Sequence, residues 1–454
     1  MNKQEKKTVR MHMKFSLSPW LFKFEDDDEG SYLIFNTINR SLIKIEKSTF
    51  DKITKHFENI ETYEKDKEIR NALEELGKRD FLLSFEVNDV LRRNVLEYIY
   101  FSGRIRNDSL FLWLSLTSNC NMACPYCYLS KKPGKNMSDK KAEVIIKFVE
   151  NELKKNKNLS YLTVIYYGGE PLLNKEILIK LHKVFCEIGE KMKVSYSSMI
   201  ITNGVLLNDM LLAELNEIRR RYNVTTRFQV TIDGTKEAHD KRRPLKNGSG
   251  SFDIVYNNFI KLVKRSNNAE SITLRSNLDN DNIESVKNLF DKIKKELGPQ
   301  VNKVNIGLSW TYPNQNYYLL STVCSFFPSR EQALKLLELY KYLKELGYKI
   351  PPTVLTTGPC GVTVPYQYSI DESLKVYKCP GLLYTDEYFG IIRDDGSLKI
   401  TNSVHLAKYV GDLRKCYLDC KFGPLCYGGC RVMKHCPKEY FETFISREGI
   451  KLVM

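Results

Sequence analysis

Between Leu110 and Trp310 the chain alternates apolar runs with amphipathic ones. The apolar runs LFLWLSL, LTVIYY, VSYSSMIIT, TRFQVTI, SITLRSN and KVNIGLSW read as strands. The segments between them, KAEVIIKFVENELKK and KEILIKLHKVFCEIG among them, carry the three- and four-residue spacing of helices. Alternation of this kind makes parallel strands with crossover helices, and six strand–helix units close into a full or partial barrel. The expected fold class is α/β.

The flanks read differently. Residues 12–46 hold three short strands, HMKFSLSPWLFKF, SYLIFNT and SLIKIEK, separated by the acidic turn EDDDEG and by Asn39-Arg40. STFDKITKHF, KEIRNALEELGKR and NDVLRRNVLEYIYF then follow with helical periodicity. Residues 1–100 are therefore expected to form a small three-strand, three-helix domain, 101–310 the barrel, and 311–454 a loop-rich domain holding seven cysteines from Cys360 to Cys436. A segment with so little periodicity needs metal to fold stably. The polar stretch TKEAHDKRRPLKNGSGSF, 235–252, reads as a surface loop.

Composition narrows the function. With 42% apolar residues, 27 Tyr and 22 Phe, disorder over most of the 454 residues is excluded. No run of about 18 uncharged apolar residues occurs, and MNKQEKKTVRMHMKF lacks the apolar stretch of a secretory signal. A cytoplasmic protein with no membrane partner is expected. In a reducing compartment the 12 cysteines favour metal or redox chemistry over disulfides. The formal charge of +15 comes from scattered lysines, as at 154–158 and 264–268, which argues against a nucleic-acid partner.

Directly after the first barrel strand, SNCNMACPYCYLS sets Cys120, Cys124 and Cys127 at the spacing C-x3-C-x2-C. Three thiolates on one short loop can hold three irons of a [4Fe–4S] cluster and leave the fourth open for chemistry. A zinc site or three unrelated core cysteines are the plainer readings. The loop, with Tyr126 before its third cysteine, resembles that of the radical S-adenosylmethionine (radical SAM) enzymes. That resemblance implies a partial (β/α)6 barrel like an incomplete TIM barrel. It also implies S-adenosylmethionine chelated at the open iron and cleaved reductively to a 5′-deoxyadenosyl radical that takes a hydrogen atom from substrate.

Further motifs carry the resemblance along the barrel. Gly168-Gly169-Glu170-Pro171 resembles the family's GGEP motif, where glycines permit close approach of the S-adenosylmethionine ammonium. Thr202-Asn203-Gly204 resembles its TNG element, and Thr231-Ile232-Asp233-Gly234 with His239-Asp240 and Arg243 resembles its S-L-D-G…H-D-x-x-R segment. Arg275 and Asn277 resemble polar positions that line the cofactor site. The implied cofactor-binding set is Gly168, Gly169, Glu170, Pro171, Asn203, Thr231, Asp233, Arg243 and Arg275; for Arg243, Arg275 and Asn277 loop anchoring is the alternative. No catalytic residue beyond the cluster is assigned.

The C-terminal Cys360, Cys379, Cys416, Cys420, Cys426, Cys430 and Cys436 suit two further iron–sulfur clusters, or two zinc knuckles. The array resembles the SPASM domain of radical SAM enzymes that modify peptides and proteins. Its ligand order implies Cys416, Cys420, Cys426 and Cys436 for a distal auxiliary cluster and Cys360, Cys379 and Cys430 for a nearer one, making three [4Fe–4S] clusters in all. The chain departs from that pattern in the wider C-x3-C of Cys416 and Cys420, the long interval from Cys360 to Cys379, and Leu374 in place of a glycine. Cys324 is a possible fourth ligand of the nearer cluster, the alternative being an iron left open to a substrate thiolate. Cys186, flanked by apolar residues on a helix, reads as a buried structural thiol.

Members of this class that mature sulfatases carry an Asp after the second cysteine of the array, a plausible general base. Here Pro380 stands there. The element order of residues 1–100 resembles the winged-helix-like precursor-peptide recognition domain, whose edge strand can pair with a leader peptide; a structural cap or dimer contact is the plainer reading. The function expected is that of a maturase installing a Cys thioether in a ribosomally made precursor. Its expected partners are a Cys-containing peptide with a leader and a one-electron donor such as flavodoxin or ferredoxin. The alternatives are sulfatase-type formylglycine formation, other protein maturation, and carbon–carbon crosslinking.

Overall fold

A computed structural model describes residues 16–55, 67–83, 89–104, 108–129, 133–224, 226–266, 272–311, 328–355, 360–410, 416, 420–432 and 436–453. Cys324 lies outside them. The chain begins with β1 (Ser16–Leu17), β2 (Leu21–Glu25), β3 (Ser31–Asn36), β4 (Leu42–Glu46), α1 (Lys47–Lys55), α2 (Lys67–Lys78), β5 (Leu82–Leu83) and α3 (Asp89–Arg104). β2, β3 and β4 form an antiparallel sheet with β4 at its edge. Pro19 breaks the first expected strand, so that β1 pairs with β5 instead.

The barrel follows as β6 (Ser109–Thr117), α4 (Asp139–Lys155), β7 (Tyr161–Gly168), α5 (Lys175–Met192), β8 (Ser195–Thr202), α6 (Asp209–Tyr222), β9 (Thr226–Thr231), α7 (Lys236–Arg242), α8 (Phe252–Arg265), β10 (Ile272–Leu278), α9 (Ile283–Leu297) and β11 (Val304–Trp310). β6 to β11 run parallel in sequence order. Alternation sorts each strand between two faces. Leu110, Leu112, Leu114 and Leu116 of β6 enter the apolar core, while Trp113 faces the cavity inside the curve of the sheet.

Four later strands and a helix change the picture of the C-terminal region. α10 (Arg330–Glu345) begins in a capping box of Ser329 and Gln332. It packs Ala333, Leu336, Leu339, Tyr340 and Leu343 into the barrel core, and Trp310 Nε1 donates to Gln332 O at 3.2 Å. β12 (Gln367–Ile370) joins β6 in parallel, and β13 (Lys375–Tyr377), β14 (Gly390–Ile392) and β15 (Leu398–Ile400) extend the sheet antiparallel. The barrel is therefore partial, because β12 occupies the side of β6 on which closure would seat β11. These strands are three or four residues long, too short for alternation to register in sequence.

The expected surface loop at 235–252 is a second departure. It contains α7, and it buries His239, Arg243 and Ser251. His239 packs edge-on against Phe252, and its Nε2 lies 3.0 Å from Ser251 Oγ.

The N-terminal sheet is strapped to the C-terminus. Phe22 of β2 stacks on Phe422 at 5.4 Å, and the acidic turn places Asp26 Oδ1 2.5 Å from Lys451 Nζ and Asp27 Oδ1 2.9 Å from Arg447. Lys44, at 2.7 Å, and then Lys451 hold the Asp26 carboxyl well below the usual range. Among the described residues no helix is long and apolar enough to cross a membrane.

Behind β7 and β8 a buried polar group spans to α5. His182 Nδ1 lies 2.8 Å from Tyr196 Oη and its Nε2 3.0 Å from Thr226 Oγ1. Burial lowers the imidazole pKa to about 4. The folded state refuses a proton that the unfolded chain accepts from about pH 6.5 downward. Stability is therefore fully present above that pH and falls as the pH drops toward 4. Denaturant titrations at pH 7 and pH 4.5 should give a smaller loss for His182→Gln than for the wild type, by about 2 kcal/mol.

Candidate active site

The site is built where β6 and β7 end. Gly169 N donates to Thr117 O and Glu170 N to Asn119 O, both at 2.8 Å, so the tip of β7 lies directly against the chain entering the cysteine loop. A Cβ on Gly169 would stand 2.1 Å from Asn119 O, and one on Gly168, at φ +134°, 2.2 Å from Thr117 O. Only glycine fits at either position. The far side of the loop is held by the segment after α7: Ala123 N donates to Pro244 O and Lys246 N to Asn121 O, each at 2.9 Å.

Cys120, Cys124 and Cys127 line one cavity of about 160 Å³ with Gly168, Gly169, Asn203, Thr231, Arg243, Arg275 and Asn277. Burial raises the Cys124 thiol, and the Arg243 guanidinium opposes that rise. Asn203 Nδ2 donates to Asn121 Oδ1 at 2.7 Å and lies 3.8 Å from Cys120 Sγ. Glu170 and Asp233 are fully buried behind this wall rather than in it. The Glu170 carboxylate accepts from Thr202 Oγ1 and Asn203 N at 2.7 Å and from Leu172 N at 3.1 Å. Burial nevertheless raises its pKa. Pro171 opens a 3-10 turn after the strand.

Asp233 anchors the loop instead. Its Oδ2 accepts from the Tyr126 hydroxyl and its Oδ1 from Asn277 N at 2.8 Å. Arg243 Nη1 donates to the same hydroxyl at 2.5 Å. The third cysteine is thus flanked by a tyrosine tied into a buried ion network.

The other cysteines gather in two groups. Cys379 and Cys430 are buried with Leu129, Val362, Tyr377, Leu382 and Leu383, and Cys360, Cys127, Tyr128 and Tyr167 pack against them. Around Cys426, burial pushes the thiol up to about 12, with Cys420, Cys436 and Cys416 near enough to add to the rise. Cys186 is buried on α5 within the apolar core. Among the described residues no three His, Cys, Asp or Glu side chains converge as one metal ion would require. Thiolates that each bind a separate iron of a cluster stand apart, and metal binding removes the protons that burial retains. The loop thiols and the glycine-lined wall fit such a cluster with a small ligand beside it.

Sequence reasoning missed Trp113, Tyr128, Ile201, Gln229 and Tyr167, which also line the cavity. Except for Tyr128, which follows Cys127, they occupy inward positions of β6 to β9, in step with Thr231 and Arg275. Period-two alternation counted back from the motif residues would have found them. Trp113 meets Tyr167 edge to face at 5.6 Å.

Residues 114–293 match the Radical SAM superfamily, so the chain carries a radical SAM domain. An uncharacterised protein of Methanocaldococcus jannaschii is 30% identical over 143 residues, 31% of this chain and 44% of that protein. The cysteine-type anaerobic sulfatase-maturating enzyme of Clostridium novyi is 31% identical over 161 residues, 33% of this chain and 38% of that enzyme. The matched stretch thus spans less than half of each relative. The structure of anSMEcpe with bound AdoMet shares the fold, with a TM-score of 0.55 at 19% identity, over 76% of this chain and 96% of that one. The same protein with AdoMet and Cp18Cys peptide gives 0.52 at 20%, over 71% and 89%.

The glycine contacts yield a direct test. Gly169→Ala must displace the cysteine loop, and a misplacement of about 1 Å costs on the order of 10²-fold in rate. Reductive cleavage of S-adenosylmethionine should fall by about that factor, measured as 5′-deoxyadenosine by chromatography, with far-ultraviolet circular dichroism unchanged.

Proposed function

We propose that this chain is a radical SAM maturase that installs a thioether between a Cys sulfur and a carbon of another residue in a ribosomally made peptide. The observation that carries the reading is the single cavity walled by Cys120, Cys124, Cys127, Gly168 and Gly169, with Cys360, Cys379 and Cys430 packed behind Tyr128 and Tyr167. When bound, the cluster and S-adenosylmethionine supply a 5′-deoxyadenosyl radical able to take a hydrogen atom from carbon.

The chain's own groups do the rest. Backbone at Gly168 and Gly169, with Asn203, Thr231 and Arg243, would hold the amino-acid end of S-adenosylmethionine. Trp113, Ile201, Tyr167 and Leu129 keep the reacting carbon in an apolar setting that excludes water. Cys360, Cys379 and Cys430 would hold a nearer auxiliary cluster and Cys416, Cys420, Cys426 and Cys436 a distal one.

Residues 1–100 would recognise a leader. The edge strand β4 and helix α2 border a groove of about 330 Å³ lined by Leu42, Ile43, Ala72, Leu76, Lys44 and Arg79. Main-chain pairing to β4 would supply affinity and the groove side chains would select residues. A reducing cytoplasm with a flavodoxin or ferredoxin as one-electron donor suits this chemistry.

Sulfatase-type maturation is a second reading, favoured by the likeness to the Clostridium novyi enzyme. Pro380 offers no proton acceptor beside Cys379, which weighs against it. Anaerobic co-expression with a short Cys-containing candidate precursor peptide, followed by mass spectrometry, separates the two. Thioether formation removes two hydrogens and one alkylatable thiol per crosslink; an unchanged peptide despite deoxyadenosine formation would point to a folded protein substrate. Cys124→Ala should abolish deoxyadenosine, whereas Cys420→Ala should leave its formation within about twofold and end peptide modification, both read by the same chromatography and mass spectrometry.

A further inference from the structure

The hairpin between β12 and β13 carries an acid that the site described so far does not use. Glu372 is fully buried, and among the described residues neither carboxylate oxygen meets a donor in hydrogen-bond geometry. Buried polar side chains are ordinarily satisfied, so such a group calls for a role. Its neighbour Asp371 is committed to the turn, accepting from Ser373 N at 2.8 Å, Lys375 N at 3.0 Å and the Tyr377 hydroxyl at 3.0 Å.

Three elements face the Glu372 carboxyl: its own hairpin through Asp371, α4 through Lys141, and the segment after Cys379 through Tyr384. Lys141 Nζ is spent on Glu372 O, at 2.8 Å. Burial raises the carboxyl pKa, Asp371 adds to the rise, and Tyr384 and Lys141 oppose it. Tyr384 sits at φ +67°, a conformation that costs a non-glycine residue energy and persists only where its surroundings impose it. Its hydroxyl meets Ser115 Oγ, with Thr117 O at 3.4 Å.

Ser115 pairs in register with Tyr167 on the inward face of the sheet. Its Oγ would stand 2.8 Å from a Cβ on Gly168, and both Gly168 and Tyr167 line the cavity. Ser115, directly behind the Gly168 wall, and Tyr384 therefore place two hydroxyls between the cavity and an acid that has no other hydrogen-bond partner among the described residues.

We propose that Glu372 takes up, through Tyr384 and Ser115, the proton that the substrate releases on oxidation. The inference rests on the maturase reading above. In that reaction the acceptor carbon would lose a hydrogen atom to the deoxyadenosyl radical and the thiol its proton as the carbon–sulfur bond forms, and the one electron left over would be taken by an iron–sulfur cluster that Cys360, Cys379 and Cys430 would hold. Ser115 receives the thiol proton as its own moves to Tyr384 and the phenol proton moves to Glu372, so both hydroxyls end unchanged. Glu372 can accept only when ionised, and the rate rises with pH through its elevated pKa.

The test uses the full-length enzyme with its clusters and the co-expressed Cys-containing peptide. It measures modified peptide per deoxyadenosine across pH, together with deoxyadenosine formed without peptide. Glu372→Gln should leave the peptide-free reaction within about twofold, lower the peptide ratio by about 10²-fold or more, and remove the acid limb of the pH profile. Glu372→Asp should restore part of the ratio, and Tyr384→Phe, which removes one of the two hydroxyls without touching the acid, should lower it similarly. Independently of turnover, infrared difference spectra on acidification should contain a protonated-carboxyl band that Glu372→Gln removes. A wild-type ratio and pH profile in Tyr384→Phe and in Glu372→Gln would overturn the inference while leaving the maturase reading intact; if Glu372→Gln does not fold, Tyr384→Phe decides. A wild-type enzyme that forms no deoxyadenosine would overturn both.

Discussion

At the tips of β6 and β7 two backbones pass so closely that no side chain fits between them. Asn119 O occupies the position a Gly169 Cβ would need, and Thr117 O that of Gly168. This contact fixes where the cysteine loop starts, and the loop's other edge is fixed by Pro244 and Lys246. Clamped on both sides, Cys120, Cys124 and Cys127 turn toward one cavity. Tyr126 is held by Asp233 and Arg243 rather than left to water.

The second dependence is the addition of β12 to β6. A closed barrel would have kept the C-terminal cysteines away from the cavity. Because the sheet continues past β6 instead, Cys360, Cys379 and Cys430 share a buried cluster with Cys127, Tyr128 and Tyr167. The same continuation sets the β12–β13 hairpin and Tyr384 against the end of β6. Phe22, Asp26 and Asp27 then couple the N-terminal sheet to the C-terminal helices, so that all three parts of the chain pack as one body.

Buried polarity is handled in two distinct ways. Glu170, Asp233 and His239 each have partners that fix a loop, and burial lowers the His239 pKa to about 3, which keeps its ring neutral. Glu372 has none of comparable geometry among the described residues. A group of the first kind shapes the site, whereas one of the second retains its capacity to bind a proton.

Much of this was legible in the chain. Six strands came from their own apolar runs, since buried parallel strands need little context to declare themselves. The loop thiols and paired glycines were legible because their chemistry depends on local spacing. α10 was not read, although its capping box and apolar spacing were present, because its place beside the cysteine-rich region gave a loop-rich reading of the whole segment. The helix within 235–252 was hidden by its polarity: His239 and Arg243 look solvated until the fold supplies Phe252, Ser251 and Tyr126 as partners. What the sequence determined alone was the strand–helix alternation and the local cysteine and glycine geometry, both short-range. Only the tertiary structure decided that β12 keeps the barrel open, that Glu170 and Asp233 stand behind the wall rather than in it, and that Glu372 is buried facing Tyr384 with no well-formed hydrogen bond among the described residues, because each depends on contacts between residues distant in sequence.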